Sequence, residues 1–187
     1  MDNNDVLRRL RFTFDFSDSK MMQLFKQGGL EVSRAEISAW LKKEGDPEGK
    51  QLYDVQMATF LNGLIIEHRG KKEGEIPKAE KRLNNNLVFR KLKIAFSLKD
   101  EDILDLYDLA GVRISKHEIS AFFRKPTQSQ YRLCKDQFLR SFLQGLQMKH
   151  RPVTAADEPE QGKSLENRMN LIRTEASSKR RFNKKDL

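Results

Sequence analysis

The sequence predicts an all-α fold, made by tandem duplication of a four-helix unit and followed by a flexible basic C-terminal tail. Three observations carry that expectation. Offsetting the 187-residue chain by 82 positions aligns Asn3 to Arg69 with Asn85 to Arg151 without a gap, and 22 of the 67 aligned pairs are identical. Apolar residues in both copies recur at i, i+3, i+4 and i+7, the period of one buried helical stripe. A Ser-x-x-Glu capping box opens the third helix of each copy at the same place, Ser33 with Glu36 and Ser115 with Glu118. The expected organisation is a helical repeat at 3–69, a linker at 70–84, a second repeat at 85–151, and a flexible spacer with a basic tail at 152–187.

Each copy is read as four helices. In the first, Val6, Leu7, Leu10 and Phe14 match Val88, Phe89, Leu92 and Phe96, with Asn4 and Asn86 as the expected N-caps. The second is expected to start at Asp18 and Asp100 and to stop at Gly29 and Gly111, because a left-handed residue after a helix favours glycine. The third has Val32 and Ile37, repeated as Ile114 and Ile119, in the positions of a hydrophobic staple. Its apolar face continues at Trp40 and Leu41, or Phe122 and Phe123. The fourth carries Met57, Phe60, Leu61 and Leu64 against Leu139, Phe142, Leu143 and Leu146.

Gly63 and Gly145 lie on or beside that last stripe. A glycine inside a helix costs about 1 kcal/mol relative to alanine. Its presence at one point in both copies implies that another backbone or a large ring passes close. Both fourth helices end in His-Arg, His68-Arg69 and His150-Arg151, where a cation interacts favourably with the helix dipole.

Between the repeats, "KKEGEIPKAEKRLNN" mixes charges around Gly74 and Pro77 and reads as an exposed connector. After Arg151, "PVTAADEPEQGKS" has almost nothing to bury and reads as a spacer. Beyond it, Leu165, Met169 and Ile172 fall at helical spacing ahead of a basic arm.

Composition excludes several classes. No apolar run approaches the ~18 residues of a membrane span, and the first ten residues lack the apolar core of a signal peptide, so no membrane partner and a cytoplasmic location are expected. The single cysteine, Cys134, is expected to be a packed thiol. His68, His117 and His150 have no metal-ligand spacing, and Asp100, Glu101 and Asp102 are the acids that favour a helix start. The expectation is a non-enzymatic protein without cofactor or metal.

Charge is uneven. The net charge is +9; residues 3–69 balance at ten cations and ten acids, residues 85–151 have thirteen against seven, and residues 163–187 have eight against three. Clustered cations supply phosphate contacts without base specificity. The candidate nucleic-acid contacts are Arg8, Arg11, Arg90, Lys91, Lys93, Lys125 and Arg151, with Lys179, Arg180, Arg181, Lys184 and Lys185 in the tail. Arg151 is grouped with Arg90, Lys91 and Lys93 because all four belong to the basic repeat. The expected function is accessory binding of RNA or the ribosome. The alternative is a protein-interaction adaptor for an acidic protein partner, using interhelical grooves edged by Trp40 and Phe122. Nothing in the sequence specifies an oligomeric state.

At "NNDVLRRLRFTF", "SRAEISAWLKKE", "FLNGLIIEHRGK", "NNLVFRKLKIAFSLKDEDIL" and "DQFLRSFLQGL" the chain resembles the YehS-like proteins, a bacterial family of uncharacterised function with one domain present twice. The resemblance spans both repeats. It implies a duplicated architecture and a bacterial cytoplasmic setting, and it brings no catalytic or binding residues.

Overall fold

The computed structural model describes residues 1–71 and 76–151. The expected basic tail, including the Leu165 to Ile172 segment, and linker residues 72–75 lie outside the described residues. Eight helices and no strand occur among the described residues. The first repeat holds α1 (Asn3–Phe14), α2 (Asp18–Gln27), α3 (Arg34–Leu41) and α4 (Asp54–Arg69). The second holds α5 (Asn85–Ala95), α6 (Asp100–Leu109), α7 (Lys116–Phe122) and α8 (Asp136–His150).

Local signals act as the sequence implies at most boundaries. Ser33 and Ser115 each accept from the N–H of the glutamate three residues on, and Glu36 and Glu118 accept in return from the serine N–H groups at 2.7 and 3.1 Å. Those N–H groups hold both carboxyls below the ordinary glutamate value. Gly29 and Gly111 follow α2 and α6 with φ of 99° and 70°.

The N-caps of α1 and α5 differ from expectation. Asp2 and Asn84 hold those positions, two residues earlier. Asn4 and Asn86 instead lie one residue inside their helices and clamp the loop that leads to the repeat's last helix. The Asn4 amide donates to Trp40 O and Lys50 O, both at 2.8 Å, and accepts from Leu52 N at 2.9 Å. Asn86 repeats this with Phe122 O, Arg132 O and Cys134 N at 2.9, 2.8 and 2.9 Å. The preceding asparagines also match: Asn3 donates to Asp54 Oδ1 and Asn85 to Asp136 Oδ1, both at 2.8 Å. A carboxamide satisfies donor and acceptor together, which a carboxylate or ammonium cannot do. The repeated Asn-Asn is therefore a loop anchor.

The helix-interior glycines mark backbone contacts. A Cβ on Gly63 would lie 1.7 Å from Leu24 O of α2, and one on Gly145 would lie 1.9 Å from Leu106 O of α6. Helices α4 and α8 thus rest directly on the main chains of α2 and α6, closer than any side chain permits.

Packing between the repeats is reciprocal. Helix α1 packs along α8, and α5 packs along α4. One cluster of buried side chains runs through both repeats, from Val6, Leu7 and Leu10 to Leu139, Phe142 and Leu146. An operation that carries each repeat onto the other is a pseudo-twofold rotation. The described residues accordingly form one compact unit. Trp40 and Phe122, expected at groove edges, are 3% and 0% exposed in this core. The connector also differs from a free strand: Pro77 O accepts from Asn62 at 3.0 Å, and Leu83 N donates to Asp54 Oδ2 at 2.9 Å.

Gly63→Ala and Gly145→Ala test the backbone contact against local propensity. Propensity alone would stabilise each variant by about 1 kcal/mol. The collision instead predicts a loss on the order of 2 kcal/mol or more in urea unfolding, because main chain must shift. A gain in stability would contradict the close approach.

Candidate anion-binding site

The His-Arg ends meet the other repeat. Phe14 and Phe96, equivalent residues at the ends of α1 and α5, stack with centroids 4.6 Å apart. His150 lies 4.9 Å from the Phe14 ring and His68 5.1 Å from the Phe96 ring. Each arginine reaches past this stack. Arg69 donates to Ser97 Oγ at 3.0 Å, and Arg151 donates to Phe12 O at 3.1 Å, stands 4.1 Å over the Phe12 ring and lies 4.0 Å from Asp15. Asp15 and Ser97 both have positive φ, 50° and 52°, so the same tight helix exit presents both partners.

Two symmetry-related pockets result, each built from both repeats. The first, of about 450 Å³, combines Arg8, Arg11, Phe12 and Asp15 of α1 and its exit with Arg151 of the other repeat. The second, of about 350 Å³, combines Arg90, Lys93, Ile94 and Ser97 with Arg69, and is walled by Leu98 and Phe123. Arg8 and Arg90 also serve the helices beneath them: Arg8 donates to Lys42 O at 2.7 Å, and Arg90 to Phe123 O at 2.5 Å, satisfying carbonyls at the ends of α3 and α7. Arg11 pairs with Asp18 at 2.8 Å and Lys93 with the equivalent Asp100 at 2.5 Å.

The pockets differ in their acids. In the first, Asp5 pairs with Arg8, Asp18 with Arg11, and Asp15 faces Arg151. In the second, the positions of Asp5 and Asp15 are Leu87 and Ser97, and Asp100 alone remains. Three cations against three acids become three against one.

The family model described as "Protein of unknown function (DUF1456)" matches the chain twice, at residues 3–70 and 85–151. The chain belongs to this family. "Uncharacterized protein YehS" of Escherichia coli (strain K12) is similar to it, 41% identical over 147 residues that cover 78% of this chain and 94% of that protein. No solved structure matches. The two matches of the DUF1456 model coincide with the two halves of the reciprocal fold.

Of the residues singled out in this DUF1456 chain, Arg8, Arg11 and Arg151 share one pocket and Arg90 and Lys93 the other. Grouping by repeat therefore misplaced Arg151: the arginine that completes the Arg90 and Lys93 pocket is Arg69, from the neutral repeat. Lys91 is a correction of another kind. It is 9% exposed, and its ammonium is held by Glu80 at 2.9 Å and Asn62 at 2.6 Å, so it anchors the connector and is withdrawn from any surface ligand. Lys125 is exposed but lines neither pocket. Lys179, Arg180, Arg181, Lys184 and Lys185 lie outside the described residues. Ser97 was not singled out, and Arg69, matched to Arg151 by the repeated His-Arg, was given less weight because it belongs to the neutral repeat.

Other chemistry is sparse. Cys134 is buried ahead of α8, and burial pushes its thiol up to about 12, away from the reactive thiolate. Among the described residues no cluster of three or more His, Cys, Asp or Glu is placed to hold a metal, and no helix is long and apolar enough to cross a membrane.

The stack makes stability depend on pH. Partial desolvation against the Phe14 ring, then Lys149 and His68, holds the otherwise exposed His150 imidazole below its ordinary value of 6.5. The unfolded chain therefore binds this proton more readily, so the contribution is complete above that value and is lost as pH falls through the lower, folded one. Urea stability is expected to drop between about pH 7.5 and pH 5.5, and His150→Phe is expected to reduce the slope. Equal slopes for the two proteins would contradict partial desolvation of the imidazole against the stack.

Proposed function

We propose that this protein is a non-catalytic binder of RNA, free or ribosomal, and that the Arg69, Arg90 and Lys93 pocket is its principal phosphate contact. The supporting observation is the loss of Asp5 and Asp15 equivalents around a retained cation trio. Uncompensated cations attract a polyanion and release its counterions, whereas the acid-matched first pocket offers little net field. The apolar wall of Ile94, Leu98 and Phe123 fits a ligand whose phosphate sits beside a ring, as each nucleotide does. Ile94 is 40% exposed at this wall. Recognition of this kind reads backbone and stacking rather than sequence. A cytoplasmic setting accords with it.

Anisotropy titration of a labelled single-stranded RNA at several salt concentrations tests the reading. Arg69→Gln, whose side chain touches only Ser97 Oγ among the hydrogen bonds of the described residues, should weaken binding and reduce the salt slope by about one contact's worth, ~0.7. Arg69→Glu should weaken it further, and Arg151→Gln in the acid-matched pocket should do less. Equal effects at Arg69 and Arg151 would remove the asymmetry. Absence of RNA binding by the unmutated protein at moderate salt would favour the adaptor reading instead.

A further inference from the structure

The connector between the repeats is held by a surface that the duplication repeats. Ile76 Cγ2 comes within 3.8 Å of where a Cβ on Gly29 would lie, Pro77 O accepts from Asn62, and Glu80 pairs with Lys91. An extended segment is thus fixed by an apolar contact, a main-chain carbonyl and an acid, set on α2, α4 and α5.

In the second copy the same three positions are Gly111, Gln144 and Arg9, on or just after α6, α8 and α1, helices that pack together as α2, α4 and α5 do. The contact types are kept: an open glycine, a side-chain amide and a cation. Apart from its own chain neighbours, no described atom lies within 4 Å of a Cβ position on Gly111, and among the described residues the Gln144 side chain makes no hydrogen bond and Arg9 no ion pair. The adjoining wall is more apolar than in the first copy. Leu109 replaces Gln27, and Leu109 and Met148 are 45% and 38% exposed.

We propose that this surface on α6, α8 and α1 binds an extended segment of a partner protein. Its pattern is an apolar residue followed by proline, with an acidic residue three positions after the proline, the pattern of Ile76, Pro77 and Glu80. Charge selects the occupant: Arg9 stands where the first copy has its connector-anchoring lysine, and the Gln144 amide retains the donor that takes a main-chain carbonyl. Gln144 is exposed and Arg9 half-buried, whereas Asn62 and Lys91 are buried beneath the chain's own connector. This surface is separate from the cation pockets, so the inference does not rest on RNA binding.

The test titrates a blocked hexapeptide, Glu-Ile-Pro-Lys-Ala-Glu, the sequence of residues 75–80, into the isotope-labelled full chain and follows amide resonances. Saturable shifts are expected at Gly111, Gln144 and Met148. Replacing the final glutamate of the peptide by lysine should weaken binding by about tenfold, or 1.4 kcal/mol, and Arg9→Glu should do the same. The peptide change needs no folded variant, so it stands even if Arg9→Glu perturbs the protein. The proposal is overturned by absence of shifts, or by shifts confined to Gly29, Asn62 and Lys91 through displacement of the connector. Affinity indifferent to both charge changes overturns it too, as do the same residues shifting with protein concentration alone, which would make a second copy the occupant.

Discussion

The reciprocal packing of α1 on α8 and of α5 on α4 is the constraint on which the rest of the structure depends. A repeat of this length has limited apolar surface with which to offset its conformational entropy. Here each repeat completes the other: the first helix of one covers the last helix of its neighbour, and a single core results. The contact of α4 and α8 with the backbones of α2 and α6 supplies the flat base for that exchange. Glycine at 63 and 145 is required for the helices to approach, and the Asn-Asn anchors fix the loops that deliver α4 and α8 to the right place.

Exchange also explains why charge can diverge between copies while the fold stays symmetric. Residue 87, in the first turn of α5, and residue 97, just past its end, both lie outside the buried core. Replacing an aspartate there by leucine or serine leaves the packing intact and changes the local field. An arginine supplied by the acid-balanced repeat then faces cations of the basic one. Duplication thus yields one pocket that is electrostatically neutral and one that is positive, on a common frame.

Helix number, type and most boundaries were legible because they are local: stripes, capping boxes and terminal glycines act within a few residues. The meaning of Gly63 and Gly145 was legible too, since an unfavourable residue repeated at one position demands a tertiary cause. What crossed between repeats was not. Periodicity shows which face of α1 is buried, but not which helix buries it, so Arg151 was grouped with the basic repeat and Arg69 was discounted with the neutral one. Asn4 and Asn86 were read as caps because asparagine is favoured there. Their interior position left the same donors and acceptors for loop carbonyls and an amide. Lys91 carried a warning: it lies three residues after Val88 and next to Leu92, inside the apolar stripe, where a cation survives only with partners.

Cooperativity between the repeats is the central claim, and the chain contains one natural probe of each. Trp40, the single tryptophan, is buried in the first repeat, and Cys134, the single cysteine, is buried in the second. Equilibrium urea unfolding followed by tryptophan fluorescence and, in parallel, by thiol reactivity should give one transition with coincident midpoints, because neither repeat keeps its core once the other opens. Two separated midpoints would show independently folding repeats and contradict the account.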